Sequence, residues 1–125
     1  MKDMRRIIRG RGFKGLLSYL MDHDSPEFIG GTISYGSVTD MTREFVTLSD
    51  TRKDIKKPVW HNALRLPSGE HLNNEKWSAI AADYMQQMGF SNASQYVAIK
   101  HNHSDGEHIH IVANRVLPRR SSISG

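Results

Sequence analysis

The 125-residue sequence contains no cysteine, which excludes disulfides and thiolate metal sites. No apolar run approaches the roughly 20 residues needed to cross a bilayer, and no secretory signal is visible. Membrane insertion is therefore not expected, and a cytoplasmic location is the default. Nothing in the chain repeats, and only the tail from Ser121 to Gly125 is low in complexity. Acidic residues are almost missing from one region: residues 1–14 hold Asp3 alone, against Lys2, Arg5, Arg6, Arg9, Arg11 and Lys14.

What is present fits one globular domain over residues 1–125. The mass of 14.2 kDa allows burial of about two-thirds of the unfolded surface. Net charge is +4, and its distribution is uneven. Arg115, Arg119 and Arg120 close the chain, while the stretch 15–114 is net acidic. Basic ends around an acidic middle suit either a polyanion held by the termini or solvated tails.

The densest chemistry lies in HNHSDGEHIHIVANRV, residues 101–116. His108 and His110 bracket Ile109 at the start of a β-branched run. Side chains alternate along a strand, so these two imidazoles share a face while Ile109 and Ile111 take the other. His101 lies seven residues upstream, far enough for a hairpin to bring it back. Three imidazoles can hold a divalent cation and leave coordination sites open for a substrate. Strict alternation groups His101 with Val97 and Ile99 without settling whether theirs is the metal face, and a bulge near the loop is one way to align it.

The remaining chain reads in order. Met1 to Gly12 has Ile7 and Ile8 as its only anchors. FKGLLSYLM (13–21) carries a helical apolar stripe at 13, 16, 17, 20 and 21, with Tyr19 off that stripe. FIGGTISY (28–35) reads as a strand whose glycines permit a bulge or a close approach. Thr39 or Asp40 is expected to cap a helix to about Ser49, with Met41, Phe45 and Leu48 inward. Residues 50–57 form a charged loop. PVWHNALRL (58–66) is a strand with Trp60, Asn62, Leu64 and Leu66 on one face and Val59, His61, Ala63 and Arg65 on the other. Asn73 or Asn74 caps a helix with Trp77, Ile80, Ala81, Tyr84, Met85 and Met88 inward, ended by Gly89. Strands over 95–101 and 107–115 complete the order. The expected fold is α+β: an antiparallel sheet of four to five strands, helices on one face and an open face carrying the histidines.

Taken together, His101, the loop 102–107, His108-Ile109-His110, the apolar run 111–113 and Asn114-Arg115 resemble the metal motif of the conjugative relaxases and mobilisation nucleases, within the HUH endonucleases. HNALRLPSGE (61–70) is similar to that family's second motif, with Arg65 where a serine is usual. FKGLLSYLMD resembles the segment that carries its nucleophilic tyrosine. The resemblance implies Tyr19 as nucleophile and His101, His108 and His110 as ligands. Asp105, His103 and Asn114 then stand behind the ligands as polar support, although His103 occupies a position where the family often has Asp. It also implies a DNA cleft on the open face, with Arg5, Arg6, Arg9, Arg11, Lys14, Arg65 and Arg115 as DNA-binding groups, and with His61 reading equally as a DNA-binding group lining the groove or as an ordinary exposed strand residue. The implied cofactor is Mg or Mn, although ligand softness suits Zn or Ni equally. The implied partner is single-stranded DNA at an origin of transfer, with accessory relaxosome proteins.

The implied reaction is site- and strand-specific nicking through a 5′-phosphotyrosine. Relaxase domains usually continue with DNA-clamping elements, so a domain ending fifteen residues after His110 reads as a truncated or a minimal one. Three other readings stay open. A rolling-circle initiator normally has its tyrosine after the His-x-His pair, and here none follows Tyr96. A metal-dependent DNA-binding module would lack cleavage. A structural zinc site would take His103 as a fourth ligand.

Overall fold

β-Branched residues at 97, 99, 109, 111 and 112 build the centre of the fold, a long antiparallel hairpin. In the computed structural model, which describes residues 2–3, 8–34, 36–103 and 106–118, the elements are β1 (Lys2–Asp3), β2 (Ile8–Gly10), α1 (Phe13–Leu20), β3 (Glu27–Gly31), α2 (Val38–Ser49), β4 (Val59–Arg65), α3 (Asn74–Gln87), β5 (Tyr96–His103) and β6 (Gly106–Asn114). The strands form one antiparallel sheet in the order β1-β4-β6-β5-β3, with β2 also paired to β4. The sheet is thus five positions wide, and the α+β antiparallel architecture is the expected one.

The sheet packs on both sides. Trp77, Ala81, Tyr84 and Met85 of α3 bury against Trp60, Leu64, Tyr96, Ala98, Ile109, Ile111 and Ala113. That is the helix-covered face the alternation predicts. The second face is open only in part. Phe13, Leu17 and Leu20 of α1 and Met41 and Phe45 of α2 cover Val59, Val97, Ile99 and Val112 there, with Phe13 and Phe45 stacked 4.4 Å apart. Burying each such large apolar side chain contributes about 1.5–3 kcal/mol. The periodicity of the helices predicts which residues turn inward but not which side of the sheet they meet.

Several local expectations change. The N-terminal segment supplies two short strands that no alternation signals, and Ile8 is 52% exposed rather than anchored. Ser37 caps α2, its Oγ accepting from the Asp40 N–H at 3.0 Å, ahead of the expected Thr39 or Asp40. Leu48 is only half-buried. Asn73 caps α3 as expected, accepting from the Lys76 N–H at 2.7 Å. Met88 follows the last helical residue and is 40% exposed, so it is not core. β3 ends at Gly31, where φ is +135° and a Cβ would lie 2.3 Å from the Tyr96 carbonyl oxygen. There the chain leaves the sheet, and Ile33 drops into the core beside α1 and α2.

Candidate metal centre

The β5–β6 register runs without a shift from Tyr96↔Ala113 to His103↔Gly106. No bulge is needed, because His101 stands directly opposite His108 and Ile99 opposite His110. Residues paired across an antiparallel ladder share a face. The three imidazoles therefore converge, with one nitrogen from each lying within 4.8 Å of the others. His101 and His108 are buried and His110 is half-buried. Most of the expected 102–107 loop is strand: the ladder continues to His103 and resumes at Gly106.

The surroundings fix the rings. The Leu20 carbonyl, at the end of α1, accepts from His101 Nε2 at 2.7 Å, so Nε2 carries the proton and Nδ1 the lone pair. Asp24 Oδ2 lies 4.0 Å from that Nδ1. Asp24 sits in a turn with φ +56°, and its carbonyl accepts from the Asn102 N–H at 3.1 Å. His110 Nδ1 is 2.9 Å from Nε2 of His61, and His108 Nδ1 is 3.4 Å from the Gly106 carbonyl. A ligand imidazole whose other nitrogen is tied in this way is typical of metal sites. The donor set fits a divalent cation.

Burial favours the neutral form of two of these rings, His61 and His110, and ligation requires a neutral imidazole. Burial, reinforced by nearby His101, pushes His61 down to about 4. Burial, then His61, His101 and His108, pushes His110 down to about 3. An unfolded chain takes up protons here below the ordinary value of 6.5, whereas the folded one does not until those lower values. The metal-free protein should thus hold this stability in full above pH 6.5 and lose it as the pH falls through the window. Urea midpoints in EDTA at about pH 7.5 and about pH 5 check this, and His61→Asn should shrink the difference. Equal wild-type midpoints would mean the rings are not held neutral.

Glu107 anchors the strand that bears the ligands. Alternation turns it away from His108, into the α3 side, where it is 5% exposed. It accepts from Trp77 Nε1, from the Leu72 N–H at 3.0 Å and from His71 Nδ1 at 3.2 Å. Burial alone would push its carboxyl up, but these hydrogen bonds and Lys100 hold it below the usual range. Glu107, where the expected loop and strand meet, is a buried fastening.

β4 brings His61, Ala63 and Arg65 to the histidine face, with Arg65 opposite His108. The Arg65 Nε is buried and has no hydrogen-bond partner among the described residues. Tyr19 is 58% exposed and lines a cavity of about 300 Å³ with Ile8, Leu16, Val59, His61 and His110. Its ring stacks on His23 at 4.1 Å, and its own carbonyl accepts from His23 Nδ1 at 2.7 Å.

Other expected site residues lie elsewhere. Asn114 is four residues beyond His110, about 13 Å along the strand. It is fully buried, donating to the Phe45 carbonyl and to Gln95 Oε1, both at 3.0 Å. It fastens β6 to α2 and does not stand behind the ligands. Arg9 pairs with Trp60 and so takes the α3 face, where Arg115 lines the same cavity as Arg9. Arg11 is exposed near Lys53 and Lys56, and Lys14 is exposed on α1. Arg5, Arg6, Asp105, Tyr35, Arg119 and Arg120 lie outside the described residues, as does the side chain of His103. Asp24, His23 and the Leu20 carbonyl are the additions that sequence reasoning missed. The only signal for them is the Asp-His-Asp run at 22–24 following Tyr19.

Residues 19–124 match the family described as relaxase, MobA/VirD2-like, nuclease domain. The chain is also similar to Protein TraI of Escherichia coli, 26% identical over 117 residues, which cover 89% of this chain and 16% of that protein. No solved structure matches it.

Proposed function

The chain belongs to the relaxase family as a MobA/VirD2-like nuclease domain, and on that premise we propose that it nicks single-stranded DNA at an origin of transfer by metal-dependent tyrosine transesterification. The observation that carries the reading is that Tyr19 and the ligand His110 line one cavity. An exposed tyrosine outside the core and a three-imidazole cluster are thereby neighbours.

His101, His108 and His110 would hold the cation, Mg or Mn in the cell. When bound, it supplies positive charge to the non-bridging oxygens of the scissile phosphate. The remaining roles belong to the chain. Arg65, beside His108, offers a planar guanidinium to a flanking phosphate. His23 holds the Tyr19 ring by stacking. The Tyr19 hydroxyl oxygen forms the new bond to phosphorus as the bond to the 3′ oxygen breaks. The hydroxyl proton passes to solvent, the leaving 3′ oxygen takes a proton from solvent to become a hydroxyl, and the 5′-phosphate stays on the tyrosine. Phosphodiester energy is conserved, so the reverse step rejoins the strand. Plasmid mobilisation with accessory relaxosome proteins follows as the biological setting.

The other tyrosines among the described residues, Tyr84 and Tyr96, suit the role less well. Tyr84 is buried, its hydroxyl accepting from Asn62 Nδ2. Tyr96 is 8% exposed and packs on the α3 side. The deciding experiment incubates the protein and a divalent cation with origin-region single strands and with supercoiled DNA. A denaturation-resistant protein–oligonucleotide adduct is expected. Metal binding without any adduct on any substrate would leave a non-catalytic DNA-binding module.

A further inference from the structure

Arg9 and Arg115, both expected to bind DNA, do not face the metal centre. They flank a separate cavity of about 360 Å³ on the α3 side of the sheet, together with Trp60, Phe90, Met88 and Leu117. We infer that this cavity is a second nucleic-acid site, which takes one nucleotide of the same single strand at a distance from the scissile phosphate. The inference rests on the nuclease reading.

Chemistry, size and position support it. Phe90 meets Trp60 edge-on at 5.2 Å and is half-buried, while Met88 is 40% and Leu117 54% exposed. The result is an apolar, aromatic-backed surface open to solvent, the type on which a base stacks irrespective of its identity. Among the described residues, no carboxylate lines it. The cavity beside α2, by contrast, mixes Arg43 with Asp40 and Glu44. Arg115 is braced, its Nη1 donating to the Lys57 carbonyl at 2.8 Å, which leaves its other donors for a phosphate. The volume is at the lower end of the range for small-ligand pockets, about 300–1,000 Å³, and so suits one nucleotide.

β2 supplies the route. Ile8 pairs with His61 and lines the Tyr19 cavity, whereas the next residue, Arg9, pairs with Trp60 and turns to the opposite face. Successive strand residues are about 3.3 Å apart. A strand of DNA crossing this edge therefore passes from one cavity to the other by a short path.

The experiment measures affinity for origin-region oligonucleotides extended one nucleotide at a time from the scissile position, in both directions. For the wild-type protein a step of about tenfold is expected on one side, where the strand reaches the cavity, about 1.4 kcal/mol. Arg9→Glu should abolish that step, and Arg9→Ala should lower the salt slope by about 0.7. An iodouracil at the step position should crosslink to Phe90, Met88 or Trp60. No step in the wild type, an equal step in Arg9→Glu, or crosslinks confined to the histidine face would each overturn the site. Failure of Tyr19 adduct formation is a separate result, and it would refute the nuclease reading whether or not the step is present.

Discussion

Replacing Tyr19 by Phe is expected to abolish the covalent protein–DNA adduct while leaving DNA and metal binding in place. The change removes one oxygen from a side chain that is 58% exposed. Its ring stack on His23 survives, because the stack uses the face of the ring. The hydroxyl makes at most about one hydrogen bond's worth of stability, roughly 1 kcal/mol. Thermal unfolding should therefore barely move. Denaturing gels of protein incubated with labelled single strands and a divalent cation give the readout. An adduct that persists in the Phe variant would remove Tyr19 from the mechanism and pass the role to Tyr35 or Tyr96. Of those two, Tyr96 would first have to leave the α3-side core.

The second large effect is expected at the ligands. His108→Ala or His110→Ala should lower divalent-cation affinity by more than about 100-fold, the upper end of what loss of a supporting outer residue costs. His61→Gln, which removes only the partner of His110 Nδ1, should fall within the range of about 10–100-fold. Titration calorimetry with Mn distinguishes the three. The fold should persist, since Glu107, Ile109 and Ile111 keep β6 in the α3-side core, and far-UV circular dichroism checks it. Unchanged affinity in the His108 and His110 variants would sink the ligand assignment. A loss in His61→Gln as large as in His110→Ala would make His61 itself a ligand.

The two parts of the centre differ in how far the sequence reveals them. The pairing of His108 with His110 follows from alternation. The place of His101 does not, because it depends on a register that residues 97–112 set by packing both faces. The faces of β4 follow from VWHNALR, since period-2 patterning survives whatever the neighbours are. What approaches each face is tertiary information. The stripe on α1 predicts that Phe13, Leu17 and Leu20 are buried, yet nothing in it predicts that its final carbonyl reaches His101, 81 residues away. Asp24 stands out only as part of the Asp-His-Asp run at 22–24, and its approach to His101 is hidden for the same reason. Asn114 and Glu107 were misleading in the opposite sense. Each belongs to a motif by spacing, but the side alternation gives Glu107 and the strand length that separates Asn114 from the ligands make both into fastenings of the hairpin.

The N-terminal strands bear on how the protein behaves towards copies of itself. A sheet edge with a long run of unpaired backbone groups is a template for adding another chain. Here, among the described residues, one edge is made of two short pieces, Lys2–Asp3 and Ile8–Gly10, laid end to end along β4 in a basic stretch. The other edge, β3, is five residues long, with a register shift between Phe28 and Gly30. Neither margin offers a straight, uncharged ladder. The sheet can therefore expose polar backbone beside a nucleic-acid strand without recruiting a second sheet, and self-association by strand addition is suppressed at both borders.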